Sequence, residues 1–169
     1  MDLIYIGKVV NTHGIKGEIR IISDFKYKLD VFKKGNNVYI GDDKLEINSY
    51  RPHQIYDMLT FVGINSIDDV LKYKGMNVYI ERSEYTFDGI LDEDIIGMEV
   101  YGDDKLIGNV REIFKNKVHS ILVIEKNGNI NMVPYVDEFI KNIDLENKRL
   151  EISIIEGLIN EDWYFNSFS

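Results

Sequence analysis

Asn11-Thr12-His13-Gly14-Ile15-Lys16-Gly17-Glu18-Ile19-Arg20 is the densest run of chemistry-bearing residues in the chain. An imidazole, an ammonium and a guanidinium surround two glycines, between two stretches that read as strands. One reading is a turn in which Gly14 and Gly17 take positive φ and the charged side chains face water. The other is a basic loop whose backbone amides, with His13, Lys16 and Arg20, approach a phosphate. Nucleotide hydrolysis is unsupported, because the run lacks the Gly-Lys-Ser/Thr ending of a phosphate-binding loop and no helix follows. His13 beside Lys16 raises acid–base cleavage of RNA, but that chemistry needs two titratable groups and a stabiliser in one cleft. One loop does not supply them, so the chain reads as a non-enzyme.

Other clusters lead to the same conclusion. Asp88, Asp92, Glu93 and Asp94 lack the ligand spacing of an EF-hand loop and read as a solvated linker. There is no cysteine, and His13, His53 and His119 lie far apart, so neither a thiolate nor a histidine zinc site is expected. No metal and no cofactor are expected. Trp163-Tyr164-Phe165 with Phe168 either pack across a barrel mouth or anchor a partner.

The elements that must position these residues are mostly strands, because Ile, Val and Tyr fit a pleated surface. In the first half the pattern predicts strands at Tyr5–Val10, Glu18–Ile22, Asn37–Ile40, Leu45–Tyr50, Met58–Val62 and Val78–Glu81. Gly41-Asp42-Asp43-Lys44 reads as a hairpin turn. One helix is expected, opened by Ser66 as N-cap and ended at Gly75. Residues 83–94 read as a polar boundary. Further strands follow at Ile96–Tyr101, Ile107–Phe114, Ser120–Glu125, Asn129–Val133 and Arg149–Ile154, with a turn at Asn127-Gly128 and a short helix at Val136–Asn142. The tetrapeptide Gly-Asp-Asp-Lys recurs at 102–105, which two similar turns explain more simply than a duplicated barrel. The predicted fold class is mainly all-β, two small barrels in tandem. Its divisions are residues 1–85, a linker at 86–93, a second domain at 94–160 and a tail at 161–169.

Charge follows the same division. The 169 residues carry a net charge of −9. Residues 1–85 are neutral overall, residues 86–169 hold the whole deficit, and residues 1–35 are net +3. Phosphate binding is driven by Lys and Arg displacing counterions, so broad nonspecific nucleic-acid binding is excluded, whereas a small basic loop is not. The N-terminal residues lack a signal-peptide pattern and no apolar run approaches the ~18 residues of a membrane span, which predicts a soluble cytoplasmic protein.

The run Ile6 to Arg20, containing His13-Gly14-Ile15-Lys16-Gly17-Glu18-Ile19-Arg20, closely resembles the opening motif of the RimM family of bacterial ribosome maturation factors. The likeness continues in family order through Arg51-Pro52-His53, Val62-Gly63-Ile64-Asn65 and Lys74-Gly75-Met76-Asn77-Val78-Tyr79-Ile80. In the second half it runs through Asp94-Ile95-Ile96-Gly97-Met98-Glu99-Val100, Ile107-Gly108-Asn109-Val110, Val133-Pro134-Tyr135-Val136, residues 139–145 and Glu156-Gly157-Leu158. The resemblance implies an N-terminal six-stranded barrel like those of translation factors, joined to a C-terminal PRC barrel. It further implies a monomeric, non-enzymatic assembly factor for the 30S subunit that promotes 16S rRNA processing and binds ribosomal protein uS-nineteen through the PRC domain. Family members often carry a Tyr-Tyr pair tied to that contact, four and three residues before the Asp of an Asp-Leu/Ile-Ile-Gly motif. Counting back from Asp94 places Ile90 and Leu91 there, either as apolar partner contacts or as linker residues packing on the barrel.

Overall fold

Alternate side chains of Ile4, Ile6, Ile19, Ile21, Leu59, Val78 and Ile80 are buried, the period of two expected of strands with one face on a core. The computed structural model describes residues 1–154, and the chain divides into two units, Met1–Asp88 and one that starts at Gly89. The first unit holds β1 (Leu3–His13), β2 (Glu18–Ile22), β3 (Asn37–Ile40), β4 (Asp43–His53), β5 (Tyr56–Phe61) and β6 (Asn77–Glu81). They close into a barrel in the order β1-β2-β5-β4-β3-β6, which leaves no unpaired strand edge. Register shifts at Tyr5/Gly7, Val9/Asn11 and Ile47/Ser49 bend the long strands β1 and β4 so that each serves two neighbours.

One helical turn, α1 (Lys28–Val31), was not anticipated by the sequence pattern. It is held by burial of Val31 and by Lys28, whose Nζ donates to Asp57 at 3.0 Å. Asp57 is only 2% exposed and also accepts from the Tyr50 hydroxyl at 2.7 Å, so β4, β5 and α1 meet on one carboxylate. Removing it strands a half-buried phenol and loosens α1, while Lys28, one-third exposed, can turn to water. Asp57→Ala is expected to cost about 2 kcal/mol, read as a lowered urea midpoint of the first unit.

The expected helix from Ser66 to Gly75 is replaced by two successive 3₁₀ turns, Ile67–Asp69 and Leu71–Tyr73. Ser66 does cap, accepting the Asp68 amide at 3.3 Å, but three-residue turns suffice to sink Val70 and Tyr73 into the barrel end.

The second unit contains α2 (Asp92–Ile95), β7 (Glu99–Gly102), β8 (Lys105–Lys115), β9 (Ser120–Lys126), β10 (Asn129–Pro134), β11 (Ile140–Asp144) and β12 (Arg149–Ile152). The sheet order is β10-β9-β8-β7-β12-β11, with β12 and β7 parallel. Its core is Ile95, Val100, Ile107, Val110, Leu122, Ile124, Val133, Leu150 and Ile152, together with Met98. The chain is therefore mainly β, two six-stranded units in tandem. The short helix expected at Val136–Asn142 is a turn that feeds β11, because Ile140 pairs with Ile152 and draws the segment into the sheet. Likewise the strand expected from Ile96 begins only at Glu99, after α2 and a turn. The final stretch of the expected second domain, Glu156-Gly157-Leu158 and the aromatic tail lie outside the described residues.

The two Gly-Asp-Asp-Lys tetrapeptides occupy different registers. Ile40 pairs with Asp43, so Gly41-Asp42 makes the first turn, whereas Gly102 pairs with Lys105 and Asp103-Asp104, both at positive φ, make the second. Turn chemistry, not duplication, accounts for the repeat.

Candidate nucleic-acid interface

β2 crosses β5 with Arg20 opposite Met58, and Met58 in turn faces Arg51 on β4. Side chains two positions apart share a face, so Glu18, Arg20, Tyr56, Arg51 and His53 lie on the outer surface of these three strands. His13, opposite Glu18 across the β1–β2 pair, joins them. The other face of the same strands carries Ile19, Ile21 and Leu59 and fills the barrel. Met58 points outward yet is fully buried beneath this polar layer.

Contacts within the layer are specific. Arg51 grips Glu18 through two bonds, Nε at 2.9 Å and Nη2 at 2.7 Å. That hydrogen bonding, with the charge of Arg51, holds the Glu18 carboxyl below the usual carboxylate range against the opposing pull of burial. The Arg20 guanidinium lies 5.4 Å from the Tyr56 ring centroid, and its Nη2 donates to His13 Nδ1 at 2.7 Å. A guanidinium has no lone pair to offer, so His13 accepts through an unprotonated Nδ1. The His13 and His53 ring centroids are 6.2 Å apart.

The loop between β1 and β2 completes the surface. Gly14 and Gly17 both take positive φ, at +68° and +92°, and a Cβ on Gly17 would meet Ile64 and the Ser66 carbonyl at 3.2 Å. The loop is pinned there, with the Ile67 amide bonded to the Ile15 carbonyl at 3.0 Å, and it presents Lys16 and Ile15 to solvent. Ile15 is 79% exposed, and Ile55, at the turn joining β4 to β5, is 74% exposed. Thus His13 and Arg20 meet, with Arg20 half-buried, while Lys16 lies exposed on the loop between their strands. Arg51, His53 and Tyr56 join them through register alone.

In the second unit, Leu91 is 4% exposed and Ile90 packs against the core, so the expectation that both offer apolar contact surface is corrected at Leu91. Burying a leucine beside the start of α2 is favourable by roughly 2 kcal/mol, which an exposed position would forfeit. Asp94 accepts the Leu91 amide at 3.0 Å, closing the first turn of α2. Asp92 pairs with Lys115, so members of the acidic cluster have separate structural partners. Among the described residues no group of three or more His, Cys, Asp or Glu side chains could hold a metal ion, and no helix is long and apolar enough to cross a membrane.

Residues 4–85 match the family model for the RimM N-terminal domain, and residues 92–158 match that for the RimM PRC barrel domain. The chain belongs to the RimM family. A relative from Exiguobacterium named ribosome maturation factor RimM is 36% identical, covering 96% of this chain and 99% of that protein. One of the same name from Streptococcus suis is 34% identical, over 96% of this chain and all of the relative. Among solved structures, a Pseudomonas aeruginosa RimM described as a 16S ribosomal RNA processing protein covers 91% of this chain at 20% identity, with a TM-score of 0.43. The RimM motif that opens the chain thus forms β1, the glycine loop and β2, which carry half of the polar outer layer.

Proposed function

We propose that this chain is a ribosome maturation factor, a non-catalytic assembly factor for the small subunit that promotes 16S rRNA processing. The observation that supports it is the match of both halves to RimM domains, in order, with relatives named ribosome maturation factors over nearly their full length. In this reading the protein works in the cytoplasm as a monomer and binds ribosomal protein uS-nineteen while the head of the subunit forms. The second unit carries the chain's negative charge, which suits a basic ribosomal protein, and complementary potentials chiefly speed encounter and reject wrong partners. Ile90 keeps partial exposure beside the acidic start of α2 and, with Asp94, belongs to the proposed contact, with Leu91 anchoring it from inside. The first unit turns its basic outer layer and the Lys16 loop toward rRNA. The alternative reading, an RNA-processing enzyme using His13, predicts cleavage of precursor rRNA by the purified chain that His13→Ala abolishes.

Co-sedimentation of the purified chain with immature 30S subunits, and binding to isolated uS-nineteen at moderate salt, test the proposal, and absence of both would overturn it. Within it, Lys16→Ala with Arg20→Ala is expected to weaken subunit association and to flatten its salt dependence by about two in log–log slope. Lys16→Ala alone should leave stability unchanged, since its side chain is exposed, whereas Arg20→Ala also uncovers Met58. An unchanged slope in the double variant would leave the loop a structural role only.

A further inference from the structure

We propose that the outer layer around His13 and His53 is a phosphate site for RNA in which the imidazoles take up protons as the phosphodiester binds. The inference rests on the reading of the first unit as rRNA-facing and adds both a second set of ligands and a regulatory variable.

Titratable side chains near the pair come from the loop, from β2, β4 and β5, and from the neighbouring turn. From the loop comes Lys16, from β2 Glu18 and Arg20, from β4 Arg51, and from β5 Tyr56. The 3₁₀ turn bonded to the loop contributes Asp68 and Asp69, both exposed. Glu18, the one acid within the layer, is already gripped by Arg51. With Arg51 paired to Glu18, Arg20 and the adjoining loop's Lys16 supply the remaining positive charge beside two imidazoles, and the Arg20 bond to His13 Nδ1 requires that nitrogen to carry no proton. Without an anion, charging His13 would break that bond and set an imidazolium against the guanidinium, with His53 only 6.2 Å away. A phosphodiester placed between the rings reverses the balance. Its oxygens accept from Arg20 and from both imidazolium rings, and its charge offsets the repulsion among them.

Two features favour RNA backbone as the occupant. The layer is an open strand surface with positive charge, which tracks a polyanion, and its imidazoles add charge only when an anion is present. Histidine is also the side chain whose charge changes between about pH 5 and 8, so coupling appears within an accessible range. Linkage fixes the direction: a ligand that favours the protonated rings binds more tightly as pH falls. Glu18, held low by Arg51, stays ionised across this interval and does not supply the slope.

The test is fluorescence anisotropy of the full chain with a labelled 20-residue oligouridylate, at constant ionic strength, from pH 8.0 to 5.5. Affinity is expected to rise about tenfold over that interval, the equivalent of one unit of pKa shift on binding. The His13→Gln, His53→Gln double variant should lose this gain and bind about tenfold more weakly than the parent at pH 5.5. His119→Gln, in the other unit, should keep it. Circular dichroism melts of each variant confirm that the barrel is folded. An equal pH slope in the double variant, or no binding of the oligouridylate by the parent at either pH, would overturn the proposal. So would equal binding of a labelled polyglutamate, which would assign the surface to an acidic protein segment. Co-sedimentation with immature subunits at pH 7.5 separates the two levels: retained sedimentation with a flat pH slope sinks the proton-linked site alone, while lost sedimentation sinks the assembly role.

Discussion

Gly108→Ala will abolish the cooperative unfolding of the second unit at temperatures where the parent is folded. Gly108 faces Val100 across β7–β8, next to a register shift, with φ at +156°. A Cβ there would lie 2.5 Å from the Glu125 carbonyl oxygen and 2.9 Å from its carbon, both backbone atoms of β9. Backbone in the middle of a sheet cannot swing aside as a flexible side chain can, so β8 and β9 must part. Forbidden φ and steric overlap together are expected to cost about 4 kcal/mol, a large share of the ~5–15 kcal/mol that holds a domain. Gly97→Ala provides the comparison. It also has positive φ, at +87°, but no atom within 4 Å of a Cβ, so only strain of about 1 kcal/mol applies. Hydrogen exchange should show amide protection in β8 and β9 lost in the first variant and kept in the second. Equal protection in both would mean that β9 yields without cost and that the close approach does not define the sheet.

What was legible in the sequence is what short-range physics dictates. Glu18–Ile22 and Asn37–Ile40 have the expected ends because Gly17 precedes one and Gly41 follows the other. Asn127-Gly128 turns as its composition requires, both residues at positive φ. Boundaries failed where tertiary burial overrides local preference. The Ser66 segment has a helix cap and apolar spacing, yet short 3₁₀ turns place Val70 and Tyr73 against the barrel. Leu91, read as either contact or packing, is buried, which its neighbours in sequence do not reveal. The candidate site was half legible. His13, Lys16 and Arg20 crowd one loop, but Arg51 lies 33 positions from Glu18 and meets it only because β5 bridges β2 and β4 in a particular register. Arg51-Pro52-His53 gave a signal as a family motif, without saying which strand face it shares.

The second large effect is alkaline, and it comes from phenols that are half-buried or buried. Between pH 10 and 12 the first unit is expected to lose most of its stability, although its carboxylates and guanidinium groups do not change charge there. Tyr50 is pushed up to about 12 by burial and then by its bond to Asp57. Tyr85 is raised to about 12, again mainly by burial, while its hydroxyl donates to the Asn37 carbonyl at 3.0 Å. Tyr73 is pushed still higher by burial and by its 2.7 Å bond to Asp43. These hydroxyls tie β4 to β5, the segment after β6 to β3, and the second 3₁₀ turn to β4. Unfolded phenols ionise near ~10, so below that pH both states are protonated and the contribution is fully present. As pH rises toward the folded values, the unfolded chain releases protons that the folded one retains, and unfolding gains free energy. Discounted for partial exposure, Tyr50 and Tyr85 should each contribute a loss of about 2 kcal/mol. Urea midpoints at pH 8, 10, 11 and 12 measure the fall, and part of the tyrosinate absorbance, smaller in Tyr50→Phe, should appear only with the unfolding transition. Tyr50→Phe, which cannot ionise, should start from a lower midpoint but lose less of it across the same interval. If the midpoint instead holds from pH 9 to 12, these hydroxyls are not the clasps that keep the barrel's turns in place.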